Sequence, residues 1–234
     1  MKNFKKKILL LGSDKFETIK LKKIFGSESF TSKFDDCSAI IAFTRRDLEN
    51  MLYQNLDFSK INWFHLPGAG IENYLDFIKS HININFTNGK VIQGPQVADH
   101  AMALLLSLTR KTYYITKYGQ NKPFDFRPIE LNDKKALVVG YGGIGKSIVA
   151  RLFGFGCKVD VVNFNQNISK IDQRIDNHFY FSDIGKAVSL ADFIFIAIPK
   201  TKLTNKLFDD KLFKKFKKNS ILINVTRGKI ICTN

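Results

Sequence analysis

No run in this 234-residue sequence approaches the ~18 consecutive apolar residues of a membrane-spanning helix. The first residues, Met1-Lys2-Asn3-Phe4-Lys5-Lys6-Lys7, are basic, but the apolar stretch behind them, 8–11, is too short for the core of a secretory signal. Cysteine is scarce as well. Cys37, Cys157 and Cys232 form no C-x-x-C pair and, being three, cannot all pair with one another, which excludes a disulfide scaffold and suits a reducing compartment. The expectation is a cytoplasmic protein with no membrane partner and no metal. Acid is the other shortage: 21 Asp and Glu face 37 Lys and Arg, a net charge of +16. Such a balance fits a nucleic-acid surface, but the lysines are spread along the chain, and the local runs at 5–7 and 214–218 read as solvated faces. The same positive field draws in small anions and dinucleotides. Nucleic acid is therefore not the expected partner.

Apolar material is ample, 44% of residues, enough for one large core or two small ones. The stretch that organises it is Lys135-Ala136-Leu137-Val138-Val139-Gly140-Tyr141-Gly142-Gly143-Ile144-Gly145-Lys146. A short β-favouring run, 136–139, meets the glycines, and a helical pattern follows through Ile148, Val149, Leu152 and Phe153. Gly140, Gly142 and Gly145 stand at G-x-G-x-x-G spacing. The first allows a tight turn, the second lets a pyrophosphate reach the backbone, and the third lets the helix pack close to the strand. The helix N-terminus adds unpaired N–H groups and partial positive charge. Gly140, Tyr141, Gly142, Gly143, Ile144 and Gly145 are thus the candidate dinucleotide loop. A glycine turn that serves packing alone is the competing reading, and the strand and helix on its flanks favour the nucleotide.

Elsewhere strand-like runs alternate with helical ones. Residues 8–11, 39–43, 61–66 and 82–86 read as strands, with 91–92 as a short fifth, and 16–25, 48–52 and 71–78 read as helices. This alternation predicts parallel sheets covered on both faces, whose ligands bind beyond the carboxyl ends of the strands. The loop Pro67-Gly68-Ala69-Gly70 becomes a candidate site on that ground. Gly94-Pro95 interrupts the pattern and predicts a hinge between domains 1–94 and 95–234. Residues 97–118 read as a single long helix, apolar round much of its circumference up to Leu108 and therefore buried between elements, domains or subunits. Past the glycine loop, strands are expected at 158–162, 178–181, 192–198 and 221–225, with 212–216 in a basic helix. Nucleotide folds carry an acid for the adenosine ribose ~20 residues beyond the glycines. Here Asn163 stands in that region. Asparagine bonds a hydroxyl without repelling a 2′-phosphate, so NAD and NADP both stay open.

Taken in order, these motifs resemble the D-isomer-specific 2-hydroxyacid dehydrogenases, the family of the glycerate, glyoxylate, formate and phosphoglycerate dehydrogenases, over nearly the whole chain. Pro67-Gly68-Ala69-Gly70-Ile71-Glu72 resembles the family's substrate loop, which implies that Gly68, Ala69 and Gly70 hold the substrate carboxylate through backbone amides. Gln96-Val97-Ala98-Asp99-His100-Ala101 resembles the start of its long interdomain helix, with Asp99 where the family usually has glutamate, and implies a cleft-facing His100. The segment from Ala191-Asp192 through Pro199-Lys200-Thr201 to Thr204 resembles the strand and loop on the adenine-nucleotide side, implying cofactor contacts from Ile198, Pro199 and Thr204, with Asn163 beside them. Asn224-Val225-Thr226-Arg227-Gly228 resembles the segment of the catalytic arginine, implying Val225 and Thr226 at the cofactor and Arg227 in catalysis. Chemistry gives the arginine its reason. Hydride transfer to a 2-oxo acid builds negative charge on the carbonyl oxygen, and a bidentate guanidinium can hold carboxylate and carbonyl together.

The resemblance implies an α/β protein: a flavodoxin-like substrate domain followed by a Rossmann dinucleotide-binding domain that lacks its C-terminal part. It implies NAD or NADP as cofactor, a small anionic 2-oxo or 2-hydroxy acid as substrate, and a homodimer formed through helix 97–118. It also puts the family's acid–base histidine and its glutamate downstream of Arg227-Gly228, beyond Asn234. The expectation is a C-terminally truncated form with little or no turnover, since a missing general acid costs ~10²–10⁴-fold. His65 is expected to pack locally, and His81 and His178 to be ordinary loop or strand-end residues. Two other functions share the scaffold. A catalytically dead nucleotide-binding remnant would bind without turning over 2-oxo acids, and a basic regulator would show salt-sensitive DNA binding.

Overall fold

The computed structural model describes residues 7–90, 92–119, 127–164 and 172–233. The chain divides into two compact units, Met1–Lys90 and Val91–Asn234.

In the first unit, strands β1 (Ile8–Leu11), β2 (Phe30–Thr31), β3 (Ala39–Ala42), β4 (Trp63–Leu66) and β5 (Asn85–Asn88) alternate with helices α1 (Lys15–Phe25), α2 (Arg45–Leu52) and α3 (Leu75–Ser80). The strands pair in parallel in the order β2-β1-β3-β4-β5, the flavodoxin-like order in which the direction of winding reverses between β1 and β3. Local chemistry starts the helices. Asp14 and Glu17 form a reciprocal capping box on α1, and the Thr44 hydroxyl caps α2. Ile40, Leu48 and Phe64 are fully buried, with Phe58, Phe77 and Phe86 packed edge-on or stacked around Phe64.

Several local features differ from expectation here, including β4, which starts at Trp63 where 61 was expected, and α3, which spans Leu75–Ser80 where 71–78 was expected. The strand expected over 82–86 runs over Asn85–Asn88 instead, because Ile84 N–H turns back onto His81 while Asn85 N–H is the first to meet the β4 side, at Asn62 O. Ile92 lies in a turn, not a strand, and Val91 lies outside the described residues. Strand β2 is new, being two residues long and too short to leave a periodic signal.

The second unit contains α4 (Gly94–Thr109), α5 (Thr112–Tyr118), β6 (Lys135–Val139), α6 (Gly143–Gly154), β7 (Lys158–Asn163), β8 (Asn177–Tyr180), α7 (Ile184–Leu190), β9 (Phe193–Ile196), α8 (Asp210–Phe213) and β10 (Ile221–Asn224). Its strands are parallel in the order β10-β9-β6-β7-β8, a Rossmann order whose switch point lies between β6 and β9. Alternate residues of β6 serve opposite cores. Ala136 and Val138 pack with Ala98, Leu105, Ile148 and Leu152, while Leu137 and Val139 pack with Val188, Ile196 and Phe208. Burial on both faces is why this strand reads as an unbroken apolar run.

The single helix expected over 97–118 is two helices. The Thr109 side chain is fully buried and its hydroxyl bonds back to Leu105 O at 3.0 Å, which weakens the ladder, and Lys111 then takes a left-handed φ of 53°. At the other end α4 begins three residues before Val97, with Gly94 and Pro95 in its first turn, where proline lacks only an N–H that would be unpaired. A Cβ on Gly94 would stand 2.7 Å from Gly143 O, so glycine lets the start of α4 lie directly on the glycine loop. Much of the apolar content of α4 is spent inside its own unit. Leu105 is fully buried, whereas Leu104 and Leu108 stay 37% and 38% exposed.

No disulfide joins Cys37, Cys157 and Cys232, and burial pushes the Cys37 and Cys157 thiols up to about 11, which leaves neither ionised at neutral pH. Among the described residues no helix is long and apolar enough to cross a membrane, and no cluster of ligating side chains could hold a metal.

Candidate functional site

The glycine loop joins β6 to α6, and two of its three motif glycines are required by the protein itself. Gly140 sits at φ 102°, and a Cβ there would meet Ala197 O at 2.7 Å and the Ile198 side chain at 2.8 Å. At Gly145 a Cβ would stand 1.9 Å from Gly140 O. Gly142 differs. It is exposed, its φ is an ordinary −83°, and among the described residues no atom lies within 4 Å of the place a Cβ would take. Packing does not explain that glycine, whereas a group seated against the backbone would.

As the N-cap of α6, Gly142 has no side chain to cap the helix, and among the described residues no acceptor meets the amides of Gly143, Ile144 and Gly145. Those donors, with the helix dipole, suit a phosphate. The residues present therefore fit a dinucleotide pyrophosphate.

Of the other residues singled out in the sequence, some lie beside this loop and others elsewhere in the same unit. Ile198 is buried against Gly140 just past β9, and the exposed Pro199 follows it. Thr204 is also buried. Its hydroxyl is spent on Pro199 O (2.7 Å) and on the Thr201 amide (2.7 Å), so it shapes the 199–204 loop from within. Asn163 is half-buried at the end of β7, next to Val162, whose carbonyl accepts from Gly140 N–H. Past β10, the Asn224 side chain ties a short turn. It accepts from the Thr226 amide (3.0 Å) and hydroxyl (2.9 Å) and donates to Arg227 O (3.1 Å), with Val225 and Arg227 half-buried. His100 is exposed on α4. The neighbouring Asp99 accepts from Arg151 Nε on α6 at 2.7 Å, stitching the two helices.

Tyr141 turns its ring inward, where it is 8% exposed, so what it can offer a ligand is its backbone. Its hydroxyl donates to Asp172, which also takes a bidentate pair from Arg174 at 2.7 Å and 2.7 Å. The Arg174 guanidinium, with the Tyr141 hydroxyl, holds the Asp172 carboxyl well below the usual carboxylate range. Burial first, and then bonding to Asp172, pushes the Tyr141 phenol up to about 12. A depressed carboxylate contributes stability that is present above its unfolded pKa of about 4 and lost as pH falls through the folded value. Asp172→Asn is expected to cost about 1–2 kcal/mol at pH 7. That difference should shrink progressively below pH 4 in denaturant titrations. A constant difference from pH 7 down to pH 2 would remove the ion pair as its cause.

In the first unit, Pro67 is buried and Gly68, Ala69 and Gly70 are half-buried beyond the carboxyl end of β4. Gly68 takes φ 79°. Two groups at the end of β5 hold the loop: Gly89 N–H donates to Gly68 O (3.1 Å) and Asn88 Nδ2 to Ala69 O (3.1 Å). The carbonyls are thereby turned in, and among the described residues the Ala69 and Gly70 N–H groups meet no acceptor. His65 bonds the Thr87 hydroxyl at 2.9 Å, and burial lowers its pKa. Asn88, Gly89, Asn224, Asp172 and Arg174 have supporting roles that the sequence did not assign. Asn-Gly at 88–89 carries a turn signal, but nothing local links it to residue 69.

Comparison with known proteins points to one family. Residues 102–234 match the family model "D-isomer specific 2-hydroxyacid dehydrogenase, NAD binding domain". The chain is 26% identical over 214 residues to a D-lactate dehydrogenase of Staphylococcus aureus strain Mu50, covering 88% of this chain and 62% of that protein. It is 28% identical over 191 residues to one from Streptococcus agalactiae serotype III, covering 80% and 56%. The chain thus spans less than two thirds of the length of these relatives. Among solved structures, a D-isomer specific 2-hydroxyacid dehydrogenase family protein from Aeromonas salmonicida superposes with a TM-score of 0.79 at 25% identity, over 97% of this chain and 75% of that one. The holo D-mandelate dehydrogenase of Rhodotorula graminis shares the fold at a TM-score of 0.80 and 20% identity, over 97% and 75%. Ordered motifs, two parallel sheets and the matched nucleotide-binding domain lead to one conclusion: the chain belongs to the D-isomer specific 2-hydroxyacid dehydrogenase family.

Proposed function

We propose that this chain is an NAD(P)-dependent oxidoreductase of 2-hydroxy acids, with the pyrophosphate of the cofactor held on the glycine loop 140–145. The observation that carries this is Gly142, a glycine that no packing contact requires at the open N-terminus of α6. Gly143, Ile144 and Gly145 offer N–H groups to the phosphates there, while Asn163 bonds the adenosine ribose. When bound, the nicotinamide supplies or takes up the hydride. Val225 and Thr226 line its path in the segment that Asn224 keeps in shape. Arg227 orients a small 2-oxo acid and stabilises the charge that develops on its carbonyl oxygen. The Ala69 and Gly70 N–H groups, left without an acceptor by a loop whose carbonyls are tied back, hold the substrate carboxylate.

The reading is tested by titrating NADH and NADPH into the purified chain, followed by oxidation assays with glyoxylate, hydroxypyruvate and pyruvate. Absence of binding by either dinucleotide would sink it.

A homodimer belongs to the same reading. Leu104 and Leu108, one helical turn apart on α4, leave apolar surface that a second copy would cover. The pair Leu104→Lys and Leu108→Lys is expected to shift sedimentation from dimer to monomer at micromolar concentration without unfolding the chain. A wild-type monomer under those conditions would count against the interface.

A further inference from the structure

Along the edge of the first unit's sheet, between α1 and β2, runs a groove of about 510 Å³, within the roughly 300–1,000 Å³ that small-molecule sites occupy. Strand β2 is two residues long, and α1 has no buried residue. The helix meets the groove with the wrong residues for a packing face. Thr18 and Lys22, four positions apart and so on one side of α1, line it together with Leu10 and Phe30. Phe16 and Ile19 are turned out instead, 72% and 64% exposed. Folding alone favours the reverse arrangement, with the apolar side chains on the sheet. Polar groups kept there at the expense of apolar contact need another reason.

The chemistry of the lining supplies one. Lys22 and Lys33 both reach the groove, and among the described residues neither ammonium group lies within 4 Å of a carboxylate. Ser13 and Thr18 share a hydroxyl–hydroxyl bond of 2.8 Å, which uses only one of their hydrogens. Thr31 Oγ1 accepts from the Lys33 amide at 3.1 Å, which leaves its own hydrogen to give. Two cations and these hydroxyl donors complement a phosphate. Asp36, also in the lining, does the opposite: it repels a phosphate and accepts from hydroxyl groups. Leu10 and Phe30 offer an apolar strip for carbon-bound hydrogens. We propose that this groove binds a phosphorylated sugar or polyol, its phosphate at Lys22 and Lys33 and its hydroxyl groups at Asp36. The site is separate from the Ala69 loop, because β1 and β3 stand between β2 and β4, a distance of roughly 14 Å in strand spacings. It is also independent of the dinucleotide reading of the glycine loop.

The test titrates ribose 5-phosphate, inorganic phosphate and ribose separately into the full 234-residue chain, labelled with nitrogen-15, and follows the backbone amides by NMR. Ribose 5-phosphate is expected to shift the amides of Thr18, Lys22, Thr31 and Lys33 and to bind about tenfold more tightly than inorganic phosphate. Ribose alone should shift none of them. The double variant Lys22→Gln, Lys33→Gln should weaken ribose 5-phosphate about tenfold at low salt, with less difference at high salt. Arginine at both positions should restore binding. Asp36→Ala removes both the repulsion and the hydroxyl acceptor, so it should bring the two phosphate ligands closer in affinity. Equal affinity of the wild type for ribose 5-phosphate and inorganic phosphate would overturn the sugar assignment. Unshifted groove amides, or wild-type affinity in a folded double glutamine variant, would overturn the groove as a site. Shifts confined to Gly143, Ile144 and Gly145 would do the same while leaving the glycine loop as the phosphate site, and failure of NADH to bind would leave the groove untouched.

Discussion

Gly145→Ala is expected to lower the melting temperature by roughly 6–12 °C, whereas Gly142→Val leaves it within about 2 °C of wild type and abolishes dinucleotide binding. The contrast follows from what surrounds each glycine. At Gly145 a single methyl group would stand 1.9 Å from Gly140 O, a backbone atom that cannot move aside without shifting the turn between β6 and α6. Overpacking of this kind costs about 3 kcal/mol, at roughly 2–4 °C per kcal/mol for a unit of this size. At Gly142 a Cβ meets no atom of the described residues within 4 Å, so the described fold has no reason to object. The pyrophosphate does, because the valine occupies the place from which it must approach. Losing two charge-assisted hydrogen bonds, about 1.5–3 kcal/mol each, weakens binding at least about a hundredfold. Calorimetric melting and NADH titration on both variants decide the matter. Wild-type affinity in a folded Gly142→Val protein would remove the phosphate site from this loop. Wild-type melting in Gly145→Ala would contradict the close contact itself.

Arg227→Ala should weaken binding of oxamate, a non-reducible isostere of a 2-oxo acid, about thirtyfold or more in saturating NADH. A guanidinium presents a planar fork that holds two acceptors at once, which a lysine cannot copy, so Arg227→Lys should recover only part of the loss. Asn224→Ala offers an independent handle. It removes the acceptor of the Thr226 amide and hydroxyl and the donor to Arg227 O, loosening the turn that presents the arginine while keeping its charge. About three- to tenfold weaker oxamate binding is expected, with little change for NADH. Oxamate affinity unchanged by Arg227→Ala would reduce Arg227 to a turn residue past β10.

Much of the fold and of the candidate site was legible because its signals are local. Strands of the second unit announced themselves as apolar runs since both faces of the sheet are covered, and the glycine spacing is a property of a single strand–turn–helix. The capping box of α1 lies within four consecutive residues, so the helix start near Phe16 could be read from the sequence alone. Where the expectations moved, pairing or burial that periodicity does not report was responsible. The strand placed over 82–86 begins at Asn85 because pairing with β4 starts there. Residues 97–118 divide because Thr109 is buried with its hydroxyl turned back on the helix, and burial is invisible to periodicity.

The sequence by itself determined the alternation of strands and helices, the place of the glycine-rich turn and the segment that contains Arg227. These depend on residues adjacent in the chain and on the steric freedom of glycine, which local order encodes. Only the tertiary structure decided which glycines the fold needs and which it leaves open, that Tyr141 faces Asp172 and the core, that Thr204 spends its hydroxyl within its own loop, and that Asn88 and Gly89 free the amides of Ala69 and Gly70. Some of these contacts, such as Tyr141 with Asp172 and Asn88 with Ala69, join groups from separate segments, while those of Gly145 and Thr204 lie within one turn or loop whose shape the fold sets. Close packing and hydrogen-bond satisfaction, which settle such contacts, are properties of the assembled fold.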